Sequence, residues 1–287
     1  MTEPPSRRAF LELSAGAAVA ALAPACARRD RPAPAADPAV VRVASVPTAV
    51  EGDLLPALVG DFPGRVELSA GPDVYAAARA GRADLVVSHY GHHDCEQFVL
   101  DGLGEWPRTV FSNQMAMVGP PSDPARIRGL TDAAEAFARI ARTASPFVVN
   151  DLDGVRYLTE ILWQCIGRPP RAGWFLDDQH QREDAMAVAS RVGGYSLWGL
   201  TPFLRTHRQR PLQLEPLVLA DPLLQRMMVA VVVRVPGCNQ DGARALQSHL
   251  LAPATQARIR GTRYPTDERV CWMPAGRHNR TAVLPLG

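Results

Sequence analysis

Lysine is absent from this 287-residue chain; all 31 residues of the Lys+Arg class are arginine. That excludes a Schiff-base lysine, a pyridoxal-phosphate lysine and the lysine of a phosphate-binding loop. No Cys-x-x-Cys pair occurs, so neither a zinc ribbon nor a thioredoxin-like motif is present. There is no His-Glu-x-x-His, and Gly194-Tyr195-Ser196-Leu197-Trp198 has the wrong frame for a nucleophile elbow. The spacings of Asp151, Asp153, Asp177 and Asp178 identify no acid/base pair. Excess charge is also missing: the net value of +2 speaks against nucleic acid as a partner, because such binders concentrate basic residues on one face. An enzyme reading thus lacks its parts, and no cofactor is expected. What the chain does have is 47% hydrophobic against 21% charged residues, a globular balance.

The N-terminus reads Ser6-Arg7-Arg8-Ala9-Phe10-Leu11, followed by a small apolar run from Ser14 to Ala25. The run is about half of the roughly 20 residues a membrane span needs. Residues 1–27 resemble a twin-arginine export signal. Two processing readings stay open: cleavage after Ala23-Pro24-Ala25, or a degraded lipobox with Cys26 as the lipidated residue. Residues 28–39 form a Pro/Ala-rich tether. On this reading the mature chain works outside the cytoplasm, periplasmic or extracellular. Cys95, Cys165, Cys238 and Cys271 allow three disulfide connectivities or none.

From Val40 onward, short β-rich runs alternate with helical patterns. Strands are expected at 40–44, 65–68, 84–88, 114–118, 146–149, 195–198, 217–219 and 227–233. Helices are expected between them, one capped by Thr131. Such alternation implies an α/β fold with helices on both faces of a parallel or mixed sheet. Ligands in such folds sit beyond the carboxyl ends of strands, against helix N-termini.

Several segments resemble the tungstate-binding family of periplasmic solute-binding proteins in ABC importers. They are Gly81 to His89 (GRADLVVSH), Asn113 to Pro120 (NQMAMVGP), Pro124 to Phe137 (PARIRGLTDAAEAF), Gly173-Trp174-Phe175-Leu176, Gly194-Tyr195-Ser196-Leu197 and Asp221-Pro222-Leu223-Leu224. The likeness runs from about residue 42 to 274. It implies a type II periplasmic-binding-protein fold: two α/β lobes, two crossover segments and a central cleft that closes on an oxyanion. The implied lobes are 40–112 plus 229–287, and 113–228. The implied partners are a small oxyanion and an ABC permease in the cytoplasmic membrane, with the chain itself a monomer.

The resemblance also places the ligand site, and there the sequence departs from the family. The first hydroxyl-rich loop is matched by Ser45-Val46-Pro47-Thr48, where Ser45 and Thr48 keep hydroxyls and Pro47 has no N–H to donate. The second is matched by 149–156, where Asn150, Asp153, Gly154 and Arg156 are the implied ligand-binding residues. Arg156 would supply the positive charge if it points into the cleft. Asp153 opposes a dianion: at about 4 Å and an effective dielectric near 20 its charge costs several kcal/mol. It is expected to be neutralised by Arg156, to serve as a helix N-cap, or to match a different ligand. A third segment, glycine-rich in the family, here reads Asp178-Gln179-His180-Gln181-Arg182-Glu183, and the loss of its glycines speaks against close backbone approach there. His89, Asn113 and Trp198 are expected along the cleft.

One run resembles a metal cluster. His89-Tyr90-Gly91-His92-His93-Asp94-Cys95 puts three imidazoles, a carboxylate and a thiol within seven residues. His89, His92, His93 and Asp94 are therefore metal candidates, against the alternative of a solvated loop with a polar helix start. A diverged protein that binds an organic acid, zwitterion or metal is the second functional reading.

Overall fold

The computed structural model describes residues 40–171, 173–263 and 272–275, with every side chain among them except that of His93. The expected signal, the tether, Cys26 and Cys271 lie outside the described residues. Among the described residues no helix is long and apolar enough to cross a membrane. Cys95, Cys165 and Cys238 are free thiols.

The chain opens with β1 (Val40–Ser45), α1 (Pro47–Glu51), α2 (Leu54–Val59), β2 (Arg65–Ala70), α3 (Val74–Arg79), β3 (Leu85–His89) and α4 (His93–Leu100). β1 pairs in parallel with both β2 and β3. The Val/Leu-rich, nearly continuous apolar sequences of β1 and β3 suit strands covered on both faces. The sequence at Ser45 to Thr48 reads as a turn, yet the chain continues directly into α1. Pro47 sits in its first turn, where the fixed φ suits a helix and the missing N–H costs no bond.

β4 (Arg108–Gly119) is twice the length of β1 and joins two halves of the sheet. The second half contains α5 (Ala133–Arg142), β5 (Phe147–Val148), α6 (Asp153–Cys165), β6 (Phe175–Leu176), α7 (Arg182–Val192), β7 (Tyr195–Gly199), α8 (Leu200–Gln209) and β8 (Glu215–Val218). The chain then returns through β9 (Gln225–Val232), α9 (Gln240–Leu251), α10 (Pro253–Gly261) and β10 (Trp272–Pro274). The strand order is β2-β1-β3-β9-β4-β7-β5-β6, with β8 and β10 also on β4. Up to Gln114, β4 pairs with β9; from Met115 it pairs with β7. The sheet therefore passes from one half to the other between Gln114 and Met115. β9 begins at Gln225 and already belongs to the first half, since it pairs with β3.

Each half has its own packing. Leu54, Leu55, Leu58, Tyr75 and Phe98 are fully buried in the first. In the second, Phe137 meets Phe147 edge-on at 4.8 Å and also Trp174 and Phe175. The helix expected to be capped by Thr131 is instead capped by Asp132, whose carboxylate accepts from the Glu135 N–H at 2.9 Å. An Asp one residue further on reaches the N3 amide, the usual geometry of a side-chain cap.

The strand directions fix where the helices begin. β1, β3, β5 and β7 deliver the chain at their carboxyl ends into α1, α4, α6 and α8. Three antiparallel pairings, β3 with β9, β9 with β4 and β4 with β7, make β1 and β3 run opposite to β5 and β7, so the two sets of carboxyl ends, and the helix N-termini that follow them, face each other from the two halves of the sheet.

Candidate functional site

A cavity of about 450 Å³ is lined by residues from both sets of strand ends, and its volume is within the range of roughly 300–1,000 Å³ usual for small-molecule sites. Its wall contains the residue preceding the first turn of six helices: Val46 for α1, Asp73 for α3, His92 for α4, Leu152 for α6, Gln181 for α7 and Gly199 for α8. Only α4 has a side-chain cap, from His92; the other five have none. By contrast α5 and α9, which start away from the cavity, are capped by Asp132 and Asn239. α2 and α10, which start away from the cavity, are also uncapped, and α10, like α1, opens on proline. A start without a side-chain cap carries partial positive charge and offers its N–H groups, apart from Pro47 of α1, which has none, and the Arg182 N–H of α7, which is bonded to Asn150. Several such starts around one cavity make a surface of anion donors.

The positive charge comes from Arg226, near the start of β9, a residue outside every segment that the family resemblance assigns to the site. Arg226 lines the cavity and sits directly across from Asn113 in the sheet. Its Nη1 donates to the Gly154 carbonyl at 3.0 Å and approaches the Met115 sulfur at 3.9 Å. Among the described residues no carboxylate pairs with it. Burial pushes its pKa down, but an arginine in this position remains charged. The signal in the sequence is a single charge heading an otherwise apolar strand, Arg226 before Met227 to Val232.

Arg156, expected to supply that charge, does not line the cavity. Its guanidinium is held by Asp151 at 2.7 Å and by Asp177 at 2.8 Å through both nitrogens. The bidentate bond to Asp177 and the pair with Asp151 push its pKa up. Arg156 therefore neutralises Asp151 on the cavity wall, and among the described residues it makes no ion pair with Asp153. Asp153 is not the N-cap, which is Leu152; it is the first helical residue, exposed to solvent on the wall. There the helix dipole and water, rather than an ion pair, accommodate its charge.

The remaining expectations divide. Thr48, Asp153, Gly154, His89, Asn113 and Trp198 line the cavity. Ser45 does not: it is fully buried and its hydroxyl donates to the Val46 carbonyl at 3.1 Å. Asn150 is buried behind the wall, where its Oδ1 accepts from the Arg182 N–H at 3.0 Å. Among the described residues, five buried side-chain polar atoms lack a partner, and three of them, on Asn113, Asn150 and Thr201, belong to this neighbourhood. Of the three residues only Asn113 lines the cavity; Asn150 lies behind its wall, and Thr201 adjoins Pro202, which lines it.

The histidine run is the metal candidate expected from the sequence, and the side chain of His93, one of its members, lies outside the described residues. No group of three or more His, Cys, Asp or Glu is placed to hold a metal among the described residues. His92 caps α4, accepting from the Asp94 N–H at 3.3 Å, and its other nitrogen lies 3.3 Å from the Pro72 carbonyl. Both ring nitrogens are thus occupied. His89 faces the cavity, and burial, then the nearby charge of Arg226, push its pKa down to about 3. It is neutral at physiological pH and adds no charge to the site.

No protein-family model matches the chain. A protein of Haloferax volcanii described as an ABC transporter anion-binding protein is 30% identical over 188 residues, 62% of this chain and 54% of the relative. The tungstate-binding protein TupA of Peptoclostridium acidaminophilum is 23% identical over 185 residues, 62% of this chain and 64% of the relative. The chain thus spans between half and two thirds of the length of these curated relatives. Among solved structures, the tungstate-binding protein TupA from Desulfovibrio alaskensis G20 aligns with a TM-score of 0.71 at 22% identity. That alignment covers 82% of this chain and 98% of the other. The resemblance read from the sequence is met in both kinds of comparison, and the relatives are binding proteins rather than enzymes. The chain has the type II periplasmic-binding-protein fold.

Proposed function

We propose that this protein is the exported solute-binding component of an ABC importer and that it captures a small oxyanion, of the tungstate or molybdate type, between the halves of its sheet. The observation that carries this reading is the convergence of five uncapped helix starts on one cavity with Arg226, a guanidinium paired to no carboxylate among the described residues. Fixed N–H donors and one charge-assisted fork suit a compact anion whose oxygens only accept. No step of chemistry is needed: the anion binds, the halves close on it, and the loaded protein delivers it to a membrane permease.

Purified protein titrated with molybdate, tungstate, sulfate and phosphate tests the reading. At anion concentrations about 100-fold above Kd, binding should stabilise the fold by about 2.7 kcal/mol, visible as a raised melting temperature. Tungstate or molybdate should give the largest rise. A flat response to all four anions would sink the proposal. The two curated relatives and the TupA structure are described as anion or tungstate binders, which supports choosing these anions first.

Export is part of the same proposal. The twin-arginine-like start predicts a mature protein that begins near Cys26, outside the cytoplasm. Mass spectrometry of the protein from its host should find either cleavage before residue 26 or a lipidated Cys26. An intact N-terminus at Met1 in the mature protein would contradict it.

A further inference from the structure

Among the described residues, seven non-glycine residues have positive φ, and Arg182 alone of these lines the cavity. Its φ is 50°, and another of the seven, Gln179 at 59°, lies three residues earlier in the same loop. Left-handed backbone disfavours a residue with a Cβ and is the natural place for glycine. Such a conformation persists only where the surroundings enforce it. Here the Arg182 N–H is held by Oδ1 of the fully buried Asn150, and the His180 carbonyl accepts from the Asp151 N–H at 2.8 Å. The loop is thus pinned to the segment that leads into α6.

The side chain offers a reason to tolerate that strain. Arg182 is exposed, lines the cavity, and makes no ion pair among the described residues. Arg226 by contrast is half-buried and tied to Gly154. Two guanidiniums therefore serve one cavity, one inside it and one at its solvent edge. The inner one has fixed geometry and low local screening. The outer one is free to meet an anion that is still hydrated.

We propose that Arg182 is a steering cation for the anion site, held at the cavity mouth by a left-handed turn that Asn150 enforces. The proposal rests on the oxyanion reading above. A charge at the edge of a site acts mainly on the association rate and on its salt dependence, whereas a buried one governs dissociation. The assignment explains why an arginine occupies a position where glycine is conformationally free.

The test is calorimetric titration of molybdate and tungstate into the wild-type full chain, Arg182→Gly, Arg182→Lys and Arg226→Ala. It is run at salt concentrations of about 0.01 M and about 1 M, where the Debye length is roughly 30 Å and 3 Å. For Arg182→Gly we expect Kd to rise about tenfold at low salt and by less than about twofold at high salt. Its melting temperature should not fall below that of the wild type, because glycine relieves the backbone. Arg182→Lys keeps the charge and should retain low-salt affinity within about threefold. Arg226→Ala should lose affinity at both salt concentrations. A wild-type affinity for Arg182→Gly at low salt overturns the proposal, and so does an equal loss at both salts. If the wild type binds, either result leaves the oxyanion reading standing; if the wild type binds neither anion, both proposals fall.

Discussion

Arg226→Ala is expected to raise the Kd for molybdate or tungstate by about 100-fold or more, roughly 3 kcal/mol, the usual scale for truncating a buried hydrogen-bonded charge at a binding site. The magnitude comes from the composition of the cavity. The five uncapped helix starts contribute partial charges, each worth a fraction of a formal charge. Arg156 is committed to Asp151 and Asp177. His89 is neutral. Arg226 is therefore the half-buried positive charge of the cavity, Arg182 being exposed to solvent, and its loss leaves only that screened charge against Asp153 on the wall. Gly154→Ala gives a finer probe of the same guanidinium. A Cβ there would stand 2.7 Å from Nη2 of Arg226. The guanidinium is the flexible end of a long side chain, so the contact is relieved by moving it, at the expense of its placement rather than of the fold. Alanine also suits a helix better than glycine, by up to about 1 kcal/mol. Gly154→Ala should thus keep or raise the melting temperature while weakening the anion on the order of tenfold, since binding groups must be held to within about 0.5 Å. In an Arg226→Ala background the same change should cost little, because the group it displaces is gone; this non-additivity is what a double-mutant cycle measures. Equal losses in both backgrounds would show that Gly154 acts on the anion directly and not through Arg226.

The difference between what the sequence reveals and what it conceals has a physical origin. The strands and most helices are legible because apolar periodicity and turn residues are local signals; the run Leu85 to Ser88 is a buried strand on its face. The order of motifs along the chain carries the fold. Side-chain direction is not legible. Arg156 and Arg226 are both arginines beside apolar runs, and only the tertiary positions of Asp151 and Asp177 decide which of them is left for a ligand. The uncapped helix starts are half-visible. Val46, Leu152 and Gly199 cannot cap with a side-chain oxygen, and three such residues at predicted strand–helix junctions are a pattern that the sequence does display. The replacement of glycine near residue 182 reads, from sequence, as a loss of close approach. The backbone shows that Gln179 and Arg182 nevertheless take left-handed φ, which no local propensity reveals.

Asp84→Ala should produce the largest loss of stability, about 3–5 kcal/mol, the range for removing one partner of a buried ion pair. Asp84 is fully buried at the head of β3. Its two oxygens accept from Arg42 Nη2 at 2.6 Å, from Arg42 Nε at 3.1 Å, and from the backbone N–H groups of Arg42 and Asn239 at 2.7 and 2.8 Å. One carboxylate thus joins β1, β3 and the loop before α9. Removing it takes the carboxylate from the Arg42 guanidinium, which keeps the Gly81 carbonyl at 2.6 Å, and from two backbone amides, and each buried group that loses its acceptor costs about 1–3 kcal/mol. A total stability of roughly 5–15 kcal/mol cannot absorb such a loss easily. The melting temperature should fall on the order of 10 °C, at about 2–4 °C per kcal/mol for a domain of this size. Replacing both partners, Asp84→Leu with Arg42→Met, should recover part of the loss but not all, because the carboxylate that joined the two backbone amides is still gone. The pH dependence provides an independent check. Burial alone would raise the Asp84 pKa, but the bonds from Arg42 and from the two amides outweigh it and the net shift is downward. A carboxyl with a depressed folded-state pKa contributes its stability above the unfolded value, near 3.9, and loses it as pH falls through the lower folded value. Wild-type stability should therefore decline as pH drops below about 4, and Asp84→Asn should lack that component. Chemical denaturation of both proteins between neutral and acidic pH measures it; parallel stability profiles would mean that the carboxylate is not the group whose protonation loosens the fold.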